Sequence, residues 1–225
     1  MVTPILLVTP TLSEYAAVRA AIADMLPSGN VKLRTCGIGA DAVRSLCGRL
    51  EDAAGSLRGI ALVGWAGGLH PDLAVGDIVL ADVTQNLQGQ RIPCTVVPLP
   101  DAKVGPLLTV SEPLLTPESK EAARGSSALA VEMEAYPLAS WAWTHHIPFA
   151  HARVILDTAD ESLPDLGNAL DPFGRVHPGH LAWRLLTRPR SIPLLLRLAY
   201  RTRVLAPILG RIARAIVQSW PTQSL

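Results

Sequence analysis

Short apolar runs, each about the length of one buried strand, recur along this chain and alternate with helical patterns. The runs are Ile5–Thr9, Val31–Cys36, Ile60–Trp65, Asp77–Val83, Leu107–Val110, Ala128–Glu132 and Phe149–Leu156. Between several of them the spacing turns helical: Leu12–Leu26, with Tyr15, Val18, Ile22 and Leu26 on one face, then Ala40–Ala53 and Ala135–His145. Strand–helix alternation of this kind restricts the chain to an α/β fold with a mixed or parallel central sheet. Gln85–Pro117, with six prolines from Pro93 onward, reads as loops with short strands between them. Ala159–Pro178 reads as a second loop. Beyond Pro178 the pattern is helical, with Pro207 at the start of a last helix. On that helix Ile208, Leu209, Ile212 and Ile216 share one face, and Arg211, Arg214 and Gln218 the opposite one.

Composition supports a large core: 49% of the 225 residues are hydrophobic and 17% charged, which argues against disorder. Cys36, Cys47 and Cys94 are odd in number and widely spaced, so reduced thiols are expected rather than a disulfide framework or a zinc site. The N-terminal residues lack the basic and apolar regions of a signal peptide, and no apolar stretch reaches membrane-spanning length. The net charge of +1 conceals an asymmetry. Nine arginines and no acid follow Asp171, whereas residues 1–171 carry 19 acids against 11 bases, a formal −8. An acidic body argues against a broad nucleic-acid footprint.

Three segments hold candidate chemistry. Val63-Gly-Trp-Ala-Gly-Gly-Leu69 ends a buried strand; its paired glycines make either a tight turn or a close approach to a ligand. Val131-Glu-Met-Glu-Ala135 sets two carboxylates at a strand-to-helix junction, where Glu134 serves either the helix dipole or a substrate. Ala152-Arg-Val-Ile-Leu-Asp-Thr-Ala-Asp160 ends in Asp157, at the carboxyl end of a strand where α/β proteins bind ligands; a capping role is the alternative. Cys36-Gly-Ile-Gly-Ala-Asp-Ala42 matches G-x-G-x-x-A after a strand, but the acidic residue of a dinucleotide site is missing from the next strand end. His145, His146 and His151 lack zinc-helix spacing, and no G-x-S-x-G occurs.

In order along the chain, these segments resemble the purine nucleoside phosphorylase and nucleosidase superfamily, and in catalytic layout its methylthioadenosine/adenosylhomocysteine nucleosidases. Gly64-x-Ala-Gly-Gly-Leu69 followed by Val75-Gly-Asp-Ile-Val79 is similar to their G-S-A-G-G-L and V-G-D-I-V. Val131–Ala135 is similar to V-E-M-E-A, Arg153–Asp160 to R-x-I-S-D-x-A-D, and Cys36–Gly39 to S-G-I-G. The similarity covers about residues 4–165. The remainder resembles, more loosely, a branch of the superfamily found beside hopanoid lipid biosynthesis. The resemblance implies a three-layer fold with a mixed central sheet and a C-terminal helical extension. It divides the chain into a catalytic domain, residues 1–175, and an arginine- and leucine-rich extension of that domain, residues 176–225.

The resemblance also implies cleavage of the N-glycosidic bond of a purine (adenine) nucleoside. Asp157 would be the general acid at a purine nitrogen and Glu14 would activate the attacking water. Glu134 would accept hydrogen bonds from ribose hydroxyls, and Met133 would pack on the sugar. Glu132, Trp65, Ala66, Gly67 and Gly68 would complete the substrate site, the two glycines leaving room for the sugar. No cofactor and no metal is implied; phosphate enters only as co-substrate of a phosphorylase. Two departures stand out: Trp65 replaces the serine of G-S-A-G-G, and Leu156 replaces a small polar residue before the acid. Leu62 and Trp65 occupy positions where bacterial phosphorylases hold phosphate, which favours hydrolysis unless Arg19, Arg34 or Arg44 substitutes. A phosphorylase is the alternative within the class, and a catalytically weakened nucleoside-binding protein the alternative outside it. The expected partners are a purine nucleoside or an adenosyl-lipid such as an adenosyl-hopane, and further copies of the chain in a homo-oligomer. The arginine-rich tail either packs on the protein or touches a membrane surface. The expected location is cytoplasmic, peripheral at the inner membrane face if the tail binds lipid.

Overall fold

The alternation resolves into one eight-stranded sheet flanked by helices. The computed structural model describes residues 3–189 and 191–221. The first strand, β1 (Ile5–Thr9), is buried at every position because both of its faces are covered. It lies parallel to β2 (Val31–Thr35) on one side and to β3 (Gly59–Gly68) on the other. Side chains alternate across it. Ile5 and Leu7 pack with Val18 of α1 (Leu12–Ala21), with Ile22 just past its end, and with Leu209, Ile212 and Ile216 of α6 (Ser191–Gln218). Leu6 and Val8 pack with Val43 and Leu46 of α2 (Ala40–Leu50) and with Leu138 and Ala139 of α4 (Ala135–Thr144). Period-2 alternation thus builds the helix–sheet–helix sandwich expected from the sequence.

β3 outruns β1. Beyond Leu62 its edge is taken by β7 (Ala130–Glu132), antiparallel, with Gly67 opposite Val131. Its other edge carries β8 (Phe149–Asp157) in parallel. β8 pairs antiparallel with β4 (Ile78–Asn86), which pairs parallel with β6 (Ala102–Thr109), and β6 returns in parallel to β7. The circuit β3–β8–β4–β6–β7 closes on itself, so strand ends converge on one spot. β5 (Arg91–Pro93), antiparallel to β4, lies in the proline-rich stretch, and α3 (Pro117–Ala123) begins at its last proline.

The helical pattern Leu12–Leu26 breaks at Ala21, and a separate 3-10 turn forms at Leu26–Ser28. The regular helix stops at Ile22, whose backbone leaves the helical region (φ −112°, ψ 15°) while its N–H still bonds the Val18 carbonyl. The tail departs from expectation in the opposite sense. After α5 (Pro178–Thr187), α6 runs 28 residues without interruption, and Pro207 lies inside it rather than at its start. Pro207 is on the exposed side, so the carbonyl it leaves without an amide partner can bond water, while Leu209, Ile212 and Ile216 anchor the other side. Arg190 and residues 222–225 of the tail lie outside the described residues.

Candidate active site

Eight of the nine site residues expected from the sequence line one cavity of about 210 Å³ at the mouth of the closed circuit: Glu14, Trp65, Ala66, Gly67, Glu132, Met133, Glu134 and Asp157. Gly68 does not line it. It packs instead behind Asp157, where an added Cβ would meet the Asp157 carbonyl at 3.3 Å. Apolar side chains of Ile38, Val110, Pro113, Leu114, Leu156 and Leu163 form much of the remaining wall.

Glu14 reaches the cavity because Thr11 caps α1. The Glu14 carboxylate accepts hydrogen bonds from the Thr11 N–H at 2.7 Å and hydroxyl at 2.6 Å, a capping box that fixes its direction. Its other oxygen accepts from the Trp65 N–H at 2.8 Å. Burial pushes the Glu14 carboxyl above its ordinary value, while Thr11, Arg153 and the Trp65 amide pull against that rise.

Gly64 explains how β3 tolerates this crowding. A Cβ there would lie 2.3 Å from a guanidinium nitrogen of Arg153 and 2.6 Å from Oε1 of Glu14. Gly67 makes space in the same way, its absent Cβ sitting 3.1 Å from Oδ2 of Asp157. The room at Gly67 therefore accommodates the Asp157 carboxylate.

The two glutamates of Val131–Ala135 divide their work. Glu132 caps α4: its Oε2 accepts from the amides of Glu134 at 3.0 Å and Ala135 at 2.8 Å, and its Oε1 from the Thr109 hydroxyl. Glu134, the N-cap residue itself, is left to face the cavity; its Oε1 accepts from the Gly39 N–H at 3.0 Å. The glycine turn after β2 thus presents its amide to a carboxylate of this chain, and not to a pyrophosphate. Arg153, fully buried on β8, binds both glutamates and also donates to the Trp65 carbonyl at 3.3 Å. Burial drives the Glu134 carboxyl up to about 7; Arg153 opposes the rise and Glu132 adds to it.

His151 stands behind Arg153. The Arg153 Nε donates to His151 Nε2 at 2.9 Å, so Nδ1 carries the ring proton and donates to the Thr84 hydroxyl at 2.9 Å. Burial, and then Arg153, hold this imidazole well below its ordinary pKa, and it stays neutral. His145 instead binds Glu51 on the surface, so the sequence cluster of histidines does not converge.

Asp157 ends β8 and is aimed by an irregularity. The β3–β8 register passes from Ala66 opposite Ile155 to Gly67 opposite Asp157, leaving Leu156 as the extra residue of a bulge. Leu156, which stands where the resembled motif has a small polar residue, therefore sits at the bulge directly before Asp157. Oδ2 of Asp157 accepts from Nζ of Lys120 at 2.5 Å. Burial raises the Asp157 carboxyl above its ordinary value, and Lys120 acts against that rise.

Sequence reasoning overlooked two of these groups. Arg153 did carry a signal, a guanidinium in a largely apolar strand that must find anions once buried. Lys120, in a polar seven-residue helix, carried none.

No known family model matches the sequence, and no curated protein matches it. Solved structures share its fold. The 5′-methylthioadenosine/S-adenosylhomocysteine nucleosidase of Helicobacter pylori, complexed with butyl-thio-DADMe-Immucillin-A, superposes with a TM-score of 0.69 at 15% identity, over 97% of this chain and 99% of that one. The futalosine hydrolase of Helicobacter pylori gives 0.68 at 16% identity, over 97% and 98%. The S-adenosylhomocysteine nucleosidase of Streptococcus pyogenes, in complex with 5-methylthiotubericidin, gives 0.57 at 18% identity, over 88% and 96%. The chain thus has the three-layer fold of these nucleosidases.

Proposed function

We propose that this chain hydrolyses the N-glycosidic bond of a purine nucleoside, with adenine as the leaving base. The observation that carries this reading is the meeting of three buried carboxylates, Glu14, Glu134 and Asp157, from three separate elements around one cavity. The fold shared with nucleosidases supports it.

Each carboxylate has a distinct task. The C1′–N9 bond breaks with its electron pair leaving on the base, and Asp157 gives its proton to a purine ring nitrogen. A positioned acid of this kind is worth about 10²–10⁴-fold. The ribosyl cation left behind is met by water; the water oxygen bonds to C1′ and its proton passes to Glu14. Glu134 accepts from the ribose hydroxyls and places negative charge near the cation. Free base and free sugar leave, and exchange with solvent returns the proton from Glu14 to Asp157.

Water is favoured over phosphate by the surroundings. Leu62 is fully buried in the sheet, and the Trp65 amide is already engaged by Glu14. Arg19, Arg34 and Arg44 are exposed and do not line the cavity, while Arg153 is committed to Glu132 and Glu134. A phosphate dianion needs several free donors and would here meet four carboxylates.

The finer reading is an apolar substituent at the ribose 5′ position, an adenosyl-lipid among the candidates. The apolar wall of Ile38, Val110, Leu114 and Leu163 supports it. Contact with a lipid surface is supported by the exposed Trp183 and Leu186 of α5 and Leu196, Tyr200 and Val204 of α6, beside arginines and without an acid. Among the described residues no helix is long and apolar enough to cross a membrane.

The deciding experiment is release of free adenine from adenosine, methylthioadenosine and an adenosyl-lipid analogue, with and without phosphate, beside Asp157→Asn. Release that ignores phosphate and collapses in the variant is expected. Release only with phosphate would make the chain a phosphorylase; tight nucleoside binding without release would make it a binding protein. Co-sedimentation with vesicles tests the surface contact: equal behaviour with anionic and neutral lipid removes the electrostatic part of that idea.

A further inference from the structure

Lys120 is 1% exposed, and its ammonium is fully committed. Besides Oδ2 of Asp157 at 2.5 Å, Nζ donates to the carbonyls of Thr158 at 2.6 Å and Glu161 at 2.8 Å. Three acceptors match the three hydrogens of an ammonium. Burying that charge is costly unless an anion meets it, and the anion met here is the carboxylate that the hydrolytic reading makes the acid.

The loop that supplies those carbonyls is itself held from the far end of the chain. The Glu161 carboxylate takes two bonds from Arg201 of α6, at 2.6 and 2.9 Å, and meets a second cation, Arg197, at 3.1 Å. Arg201 hydrogen-bonds most strongly among the influences that bring the Glu161 carboxyl down to about 2. Glu161 also accepts from the Thr158 N–H at 3.1 Å, and Arg201 donates to the carbonyl of Leu156, the bulge residue, at 3.1 Å. One continuous set of polar contacts therefore links the C-terminal helix to the bulge, the loop, Lys120 and Asp157.

We propose that Lys120 is the positioning residue of the acid Asp157, and that Arg197 and Arg201 of the C-terminal helix hold this pair in register through Glu161. The proposal rests on the N-glycosidic reading of the site. Lys120 occupies Oδ2 and leaves Oδ1 to carry the transferred proton to the base. When that proton leaves and the C1′–N9 pair goes to the base, the ammonium stabilises the carboxylate that remains. The arginine-rich tail thereby becomes part of the catalytic apparatus as well as a packing element.

The test uses Lys120→Met, Lys120→Arg and Glu161→Gln in the full chain, with kcat, KM and the pH profile of kcat/KM. Loss of the cation makes Asp157 a weaker acid, so the alkaline limb, where the acid loses its proton, moves to higher pH in Lys120→Met. Misplacement of the acid lowers kcat by about 10²-fold with little change in KM. Lys120→Arg keeps the wild-type limb, and Glu161→Gln, which leaves Lys120 in place, lowers kcat by a smaller factor. An unmoved limb in a folded Lys120→Met overturns the proposal. If that variant does not fold, an unchanged kcat in Glu161→Gln overturns it instead. Should the wild type release no base at all, the hydrolytic reading fails separately. An NMR titration of the Asp157 carboxyl, identified through Asp157→Asn, then decides the positioning role: a rise on removing or loosening Lys120 supports it, and no change ends it.

Discussion

At the residue scale, the site is governed by which atoms are left out and which charges are paired. Gly64 is the sharpest case, because a methyl there would overlap both Arg153 and Glu14. Gly64→Ala is expected to cost about 1–3 kcal/mol of stability and most of the activity. Gly48, inside α2 with open space at its Cβ, provides the contrast: Gly48→Ala is expected to stabilise by about 1 kcal/mol. Urea unfolding of the two variants measures both. Glu134 makes a pH prediction. It ionises less readily in the folded chain, near 7, than at its ordinary 4.5. Its contribution to stability is therefore complete below about 4.5 and is lost as pH rises toward about 7. Glu134→Gln lacks that titration, so its Tm should gain on the wild type across this window while activity falls. A Tm difference independent of pH would contradict the assignment. Glu134 and Asp157 were legible as candidates because they stand in ordered motifs, whereas Glu14 was reached only through the resemblance. Lys120 was not legible, because nothing local distinguishes it from a solvated lysine.

At the scale of elements, long apolar runs were readable and short or irregular ones were not. β1 followed from an unbroken apolar stretch and β8 from one interrupted only by His151 and Arg153 before Asp157, as strands covered on both faces require. β5 and α3, three and seven residues long, are too short for a period to register. The bulge at Leu156 is equally silent in sequence, because an extra residue in one strand exists only relative to its partner. The joining of two tail segments into one helix through Pro207 needed the packed face below it. Trp220 closes that end, its ring filling the space beside Gly59, where a Cβ would fall 2.0 Å from Cζ2. Trp220→Ala is expected to destabilise by about 3–5 kcal/mol without altering the denaturant dependence, again read by urea unfolding.

At the scale of the whole molecule, the charge asymmetry becomes intelligible. Tail arginines meet acids of the body: Arg214 pairs with Asp24, Arg201 with Glu161 and Arg188 with Asp165. The tail also covers Val18 of α1, Ile22 just past its end and the strand residues beneath them. A chain cut after residue 190 is accordingly expected to bind a hydrophobic dye and aggregate, since a core face would meet water. A soluble, well-folded truncated chain would show that the tail is an appendage. The sequence by itself determined the succession of strands and helices, the α/β class and the candidate carboxylates Glu134 and Asp157. Those properties reside in the spacing of near neighbours and in residue chemistry. Only the tertiary structure decided the closed strand circuit, the aim of Asp157 and its Lys120 partner. The same holds for the contacts of Glu14 with Trp65 and of Glu134 with Gly39, 51 and 95 residues apart in the chain. Contacts at such separations are set by topology and by the cost of leaving a buried charge unpaired, and neither leaves a local trace.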